Sequence, residues 1–186
     1  VSRIVDFYRG RAPDDAGRTI VSVWGFDAEM LEWRHDFIQW LFPLRSPSGA
    51  NPSAPVLTDD DVRAFREDPA LRARLGRSLD LMLCFYGYAR EGDGPATRIV
   101  ETPDAAARRE NWVTPGNHNF LRLTRILRSL TLLGLGAEAA ALHGALARLY
   151  EGEAGPVIGP RTFQFWLEAV TAPDAGVARA PGAGRD

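Results

Sequence analysis

The stretch His35-Asp36-Phe37-Ile38-Gln39-Trp40-Leu41-Phe42-Pro43 constrains this chain most, because it sets two polar side chains inside an otherwise apolar helical turn. Read as a helix, it puts His35 and Gln39 four residues apart on one face. Phe37, Ile38, Trp40, Leu41 and Phe42 then cover the rest of the circumference and leave almost no side for water. The segment is expected to be buried, with His35 and Gln39 either more than half covered and hydrogen-bonded to protein groups or facing a pocket that a ligand fills. A buried imidazole or amide without partners costs about 1–3 kcal/mol, so the fold or a bound ligand must supply hydrogen bonds. Pro43 ends the helix, since it can neither donate to the ladder nor continue the turn.

Elsewhere, apolar residues recur at helical spacing and strand alternation is nearly absent, so the expected fold class is all-α. A chain of 186 residues, 45% of them hydrophobic, can bury about 70% of the surface of its unfolded form. The expectation is a single-domain irregular helical bundle over residues 1–171 and a disordered tail over 172–186, where Ala, Gly and Pro dominate without periodicity. Thr19-Ile20-Val21-Ser22-Val23-Trp24 is where a strand competes best, and it reads as the start of a helix. One or two helices cover residues 28–42, and Pro43, Pro47, Gly49, Pro52 and Pro55 write an irregular link. Thr58 caps the next helix, with Asp59, Asp60 and Asp61 at the positive end of its dipole. Pro69 opens a long helix through Leu71, Leu75, Leu79, Met82 and Tyr86, which closes at Gly87. Residues 89–103 read as a loop rich in Gly and Pro, and helices follow at 103–111, 117–133, 138–150 and 160–170.

A net charge of -2 and a pI near 6.0 provide no global field for nucleic acid, which disfavours single-stranded nucleic acid binding through Arg and Trp. Any anion site must be local. Every basic residue is an arginine, which excludes a Schiff base, a Walker lysine and a Ser-Lys dyad. Cys84, the sole cysteine, sits among Leu81, Met82, Leu83 and Phe85 and reads as a small core hydrophobe. With three histidines and neither His-Glu-x-x-His nor paired-cysteine spacing, the sequence carries no zinc pattern, and no cofactor motif is seen. No apolar run reaches the ~18 residues that span a bilayer, and the first residues lack the apolar core of a secretory signal. Cytoplasmic residence is expected.

On the wheel of the 117–133 helix, Leu123, Ile126, Leu127, Leu130 and Leu133 share one face, with Asn119 at its edge. His118, Arg122, Arg125 and Ser129 form a second line at i, i+4, i+7 and i+11. Like charges at that spacing repel by a few tenths of a kcal/mol, roughly, so something anionic is expected across them, either a ligand or Asp80, Glu32 or Asp27 of the chain itself. Thr114-Pro115-Gly116 offers backbone donors for an anion, or an ordinary turn and cap. His35 and Gln39 read either as a ligand-binding pair or as satisfied core residues. Trp24, Trp33, Trp40, Tyr86, Trp112 and Trp166 could line an aromatic groove. Core packing suits Trp40 and Tyr86, whereas Trp33 and Trp112 are expected at the surface. Arg128 points elsewhere and reads as solvated, Ser48 as a loop residue, and His143 as chemically silent.

Three motifs in order resemble the conserved region of the opioid growth factor receptor family. His35 to Pro43 matches its His-x-(Phe/Tyr)-Ile-Gln-Trp-Leu-Phe-Pro, and Leu81 to Gly87 its Leu-Met-Leu-x-Phe-Tyr-Gly. The run His118, Asn119, Leu121, Arg122, Thr124, Arg125, Ile126, Leu127, Ser129 and Leu130 looks like its His-Asn-x-Leu-Arg helix. The resemblance extends from about Phe7-Tyr8 to Phe163-Trp166. It implies receptor-like binding of a small opioid-type peptide with a role in growth control, no assigned catalytic residue, and no relation to seven-helix opioid receptors. On that basis His35, Gln39, Trp112, His118, Asn119, Arg122 and Arg125 are the expected recognition residues, with Arg122 or Arg125 pairing a peptide carboxylate and the aromatics holding its rings. The rival reading is an enzyme or binder of a small phosphorylated or carboxylated metabolite, with His35 or His118 as acid/base and the arginines as clamp.

Overall fold

The computed structural model describes residues 2–173, so the tail expected at 172–186 lies almost wholly outside the described residues. Helix starts follow the capping chemistry of the sequence. Ser2 caps α1 (Arg3–Tyr8), Thr19 caps α2 (Ile20–Trp24) and Asp27 caps α3 (Ala28–Trp33), each accepting from a backbone N–H of the first turn. The segment 38–42 yields only the short α4 (Ile38–Leu41). Thr58 and Asp61 close a reciprocal capping box on α5 (Asp59–Glu67), which leaves the acidic run as a cap. Asp68 and Pro69 open α6 (Pro69–Tyr86), and Gly87 closes it at φ 87°, in the left-handed region.

Residues 88–101, expected largely as loop, form an antiparallel hairpin of β1 (Tyr88–Glu91) and β2 (Arg98–Glu101). Four-residue strands are too short to show period-two alternation, so pattern alone hides them. Gly92 turns the chain at φ 72°, where an added Cβ would come within 2.7 Å of the Ala96 carbonyl oxygen. Then come α7 (Ala105–Trp112), α8 (Asn119–Leu132), α9 (Gly136–Glu151), α10 (Gly155–Ile158) and α11 (Pro160–Thr171). The described residues are thus mostly helical, with a single two-stranded sheet.

α8 packs between α9 and α11, while α6 carries α5, α7 and β1. One contiguous apolar cluster runs from Ile4 to Ala169 and includes Trp40, Tyr86, Leu127 and Trp166. Several of its aromatics keep their polar ends paired, although Trp40 Nε1 and the Tyr88 hydroxyl do not. The Trp166 indole donates to the Phe120 carbonyl at 3.1 Å, and the Tyr8 hydroxyl donates to the Leu41 carbonyl. Cys84 lies exposed on the outer face of α6, contrary to the core position expected from its neighbours. The helical turn that buries Leu83 points Cys84 outward.

Candidate functional site

α8 begins in a turn closed by its own side chains. Asn117 Nδ2 donates to Thr114 Oγ1 at 2.9 Å, and Asn117 Oδ1 accepts the Asn119 N–H at 2.9 Å. The Asn117 N–H also donates to the Thr114 carbonyl at 3.1 Å, so the segment is an ordinary turn and cap. One turn later, Arg122 is only 5% exposed. Its Nη1 donates to the Leu31 carbonyl at 2.8 Å, and its Nη2 to the carbonyls of Arg34 at 2.8 Å and Glu32 at 3.3 Å. These are the orphan carbonyls at the C-terminal end of α3, so the guanidinium caps that helix from 88 or more positions away in sequence. Arg122 Nη2 also reaches His35 Nδ1 at 3.2 Å. Because a guanidinium only donates, Nδ1 accepts and the His35 ring proton sits on Nε2.

Asn119 is fully buried and uses both ends of its amide. Oδ1 accepts from Tyr86 at 3.2 Å and Arg122 at 3.2 Å, and Nδ2 donates to Glu32 Oε2 at 3.1 Å. Glu32 Oε1 lies 3.5 Å from His118 Nε2, and the His118 ring stands edge-on to His35 at 5.0 Å. Burial first, then the Arg122 charge, lower the His118 pKa against the pull of Glu32. Of the carboxylates expected to neutralise the stripe, Glu32 lies against it at His118, whereas Asp80 pairs with Arg90 and Asp27 accepts from the Met30 N–H.

Between α4 and α8 opens a cavity of about 370 Å³. Ile38 and Gln39 supply one wall, Leu44 and residues 48–50 a second, and His35, His118, Leu121, Arg122, Thr124, Arg125 and Arg128 the third. No Asp or Glu lines it. Arg125 is half-buried and donates through Nη1 to the Phe42 carbonyl at 3.1 Å. Burial, and secondarily Arg128, pull its pKa down to about 10, which leaves it charged at neutral pH. Neither Arg125 nor Arg128 has a carboxylate partner among the described residues. Arg128 Nε is buried without a hydrogen bond, as is Gln39 Oε1. Gln39 is 4% exposed and its Nε2 donates to Ser48 Oγ at 3.4 Å. Cationic, rich in donors and free of carboxylates, such a pocket can hold an oxyanion.

A larger cleft of about 870 Å³ lies between β2, α7, α9 and α10. Arg109 pairs with Glu101 and Arg148 donates to the Ile99 carbonyl at 3.3 Å, and three carboxylates, Glu101, Glu110 and Glu153, line the cleft beside them. It therefore carries no comparable unmet charge.

The structure brings His35, Gln39, His118, Arg122 and Arg125 around one cavity, with Asn119 behind it. Four expectations need correction. His35 is not on a helix with Gln39 and is not buried: it sits exposed in the link between α3 and α4, where it lines the cavity and accepts from Arg122. Trp112, expected at the surface, is 0% exposed, stacks edge-on against Tyr86 at 5.2 Å and donates to the Tyr86 carbonyl. α7 folds back onto α6 and turns its last residue inward. No Trp, Tyr or Phe lines the cavity, so the expected aromatic groove is not part of it; Trp33, 76% exposed, does reach the surface. Arg128, read as solvated, lines the cavity, and so does Ser48. Arg128 follows Arg125 by three residues, and a wider reading of the stripe would have included it.

A family model described as the opioid growth factor receptor (OGFr) conserved region matches residues 5–154. The opioid growth factor receptor of Rattus norvegicus is 42% identical over 116 residues, covering 62% of this chain and 20% of that protein. The receptor of Homo sapiens is 41% identical over 117 residues, again 62% of this chain and 17% of the relative. Opioid growth factor receptor-like protein 1 of Mus musculus is 32% identical over 138 residues, 69% of this chain and 28% of its own length. The chain thus spans less than a third of each of these relatives. No solved structure matches it.

Proposed function

Because the chain belongs to the opioid growth factor receptor conserved-region family, we propose that it is a receptor-like binding protein whose ligand presents an oxyanion to the cavity between α4 and α8. One observation carries this reading: Arg125 and Arg128 face a cavity with no carboxylate in its walls. In a chain of net negative charge, two such cations in so confined a space are a local device. Arg125 and Arg128 bind the anion, Gln39, Ser48 and His35 orient it, and Arg122 holds His35 in place. A small opioid-type peptide with a free carboxylate is the ligand that the family resemblance favours. No helix among the described residues is long and apolar enough to cross a membrane, and cytoplasmic residence belongs to the same proposal.

The test is thermal melting with a carboxylated pentapeptide and with inorganic phosphate. A ligand that binds only the native state raises the melting temperature by mass action. A rise in the wild type that disappears in Arg125→Ala/Arg128→Ala supports the proposal. No rise with either anion sinks it. A catalytic reading is favoured by one feature, the paired imidazoles of His35 and His118 beside the same cavity, which could move a proton on a bound anionic substrate.

A further inference from the structure

We infer that the anion this cavity prefers is doubly charged and tetrahedral, namely the phosphoryl head of a small, soluble phosphomonoester. The inference rests on the anion reading above and departs from it in one respect, setting a phosphomonoester ahead of the carboxylated peptide. Of the cationic side chains in the walls, Arg122 is not available: its terminal nitrogens are held by three backbone carbonyls, Asn119 and His35. Arg125 and Arg128 remain. They stand three residues apart on one helix, as neighbours on its surface, and each lacks a carboxylate partner among the described residues. A carboxylate or sulfate ester cancels one of these charges and leaves the other confined with nothing opposite it. A phosphomonoester, carrying close to two negative charges at neutral pH, cancels both.

The hydrogen-bond inventory agrees. Arg125 keeps Nη2 and Nε beyond its bond to Phe42, Arg128 keeps its whole fork, and Ser48 and the His35 Nε2–H add single donors. These lie on two of the three walls and offer more donors than the two coplanar oxygens of a carboxylate can accept, which suits the three oxygens of a phosphoryl group. Gln39 Oε1, an acceptor without a partner, calls for a hydroxyl or N–H beside the phosphoryl group. At about 370 Å³, the cavity lies at the low end of the roughly 300–1,000 Å³ of small-molecule sites. That size favours a small molecule over a longer chain.

The experiment is isothermal titration of the full chain at low ionic strength with phenyl phosphate, phenyl sulfate and benzoate, which share a ring and differ in head charge and shape. Phenyl phosphate should bind at least about tenfold tighter than the other two, a difference of about 1.4 kcal/mol. Arg125→Gln and Arg128→Gln should each reduce it to the level of phenyl sulfate while melting near the wild-type temperature. Equal binding of all three, lost in both variants, would overturn the dianion preference and leave the anion reading standing. Absence of binding by any of the three would overturn both. Phenyl phosphate binding untouched by the substitutions would place it elsewhere and likewise overturn the inference. Phosphatidylcholine vesicles containing phosphatidic acid distinguish the source: the protein should stay in the supernatant, and Arg125-dependent sedimentation would overturn the assignment to a soluble ester.

Discussion

Arg122 and Arg125 look equivalent in the sequence, one helical turn apart on the same stripe, yet their surroundings give them opposite roles. Arg122 is bound to the carbonyls of Leu31, Glu32 and Arg34. A lysine there offers a point charge where a planar fork is needed. Arg122→Lys should therefore leave carbonyls unpaired and lower stability by about 2–4 kcal/mol, measured by urea denaturation. Arg125 is a partly buried cation without a counter-ion, and replacing such a group with an apolar one of similar size is often neutral or stabilising. Arg125→Met should hold or raise the denaturation midpoint. If both variants lost the same stability, the division of roles would be wrong. His118 and His143 titrate below the ordinary value of 6.5, in both cases chiefly through burial. Their folded pKa values are depressed, so the unfolded chain binds more protons between those values and 6.5. Stability therefore falls as pH drops through that window and is fully present above it. His143, stacked on Phe163 with an unpartnered Nε2, is far from the cavity. His143→Leu should flatten the decline in melting temperature between about pH 7 and pH 5, and an unchanged slope would remove His143 as a contributor.

Elements were readable wherever a local signal fixes them. Thr58 with its acidic run, Pro69 and Gly87 mark the bounds of α5 and α6 where the sequence puts them. The break between α3 and α4 was not readable. Residues 37–42, apolar except for Gln39, are buried all round, so they have no periodicity to show where a helix stops. The stop is imposed by Arg122 gripping the end of α3, a tertiary contact that no local pattern contains. For the same reason, the stripe on α8 was legible while the state of each arginine on it was not. Gly87 provides a prediction at this scale. A Cβ there would stand 2.7 Å from Ala105 Cα at a backbone φ of 87°. Gly87→Ala should cost on the order of 1–3 kcal/mol in backbone strain, and more as α7 is pushed off α6. Thermal denaturation measures it, and a wild-type midpoint would show that α7 can move aside freely.

At the scale of the whole molecule, Trp40, Leu83 and Leu127 meet in one buried cluster assembled from distant parts of the chain, as the apolar nonapeptide led one to expect. Trp40, packed against Phe7 with ring centroids 5.1 Å apart, has no polar face to turn outward. Trp40→Ala should cost on the order of 3–5 kcal/mol. We further propose that residues up to 171 unfold as one unit, so calorimetry should show one transition, and two resolved transitions would divide the domain. The cavity sits where that core meets its surface, between the two segments that carry the most specific motifs. Its charge is the central claim, and the most direct test is an anomalous difference map from crystals soaked in sodium selenate. The account predicts a selenium peak between the guanidiniums of Arg125 and Arg128, within reach of Ser48 and Gln39. An empty cavity with both arginines turned to solvent would contradict it.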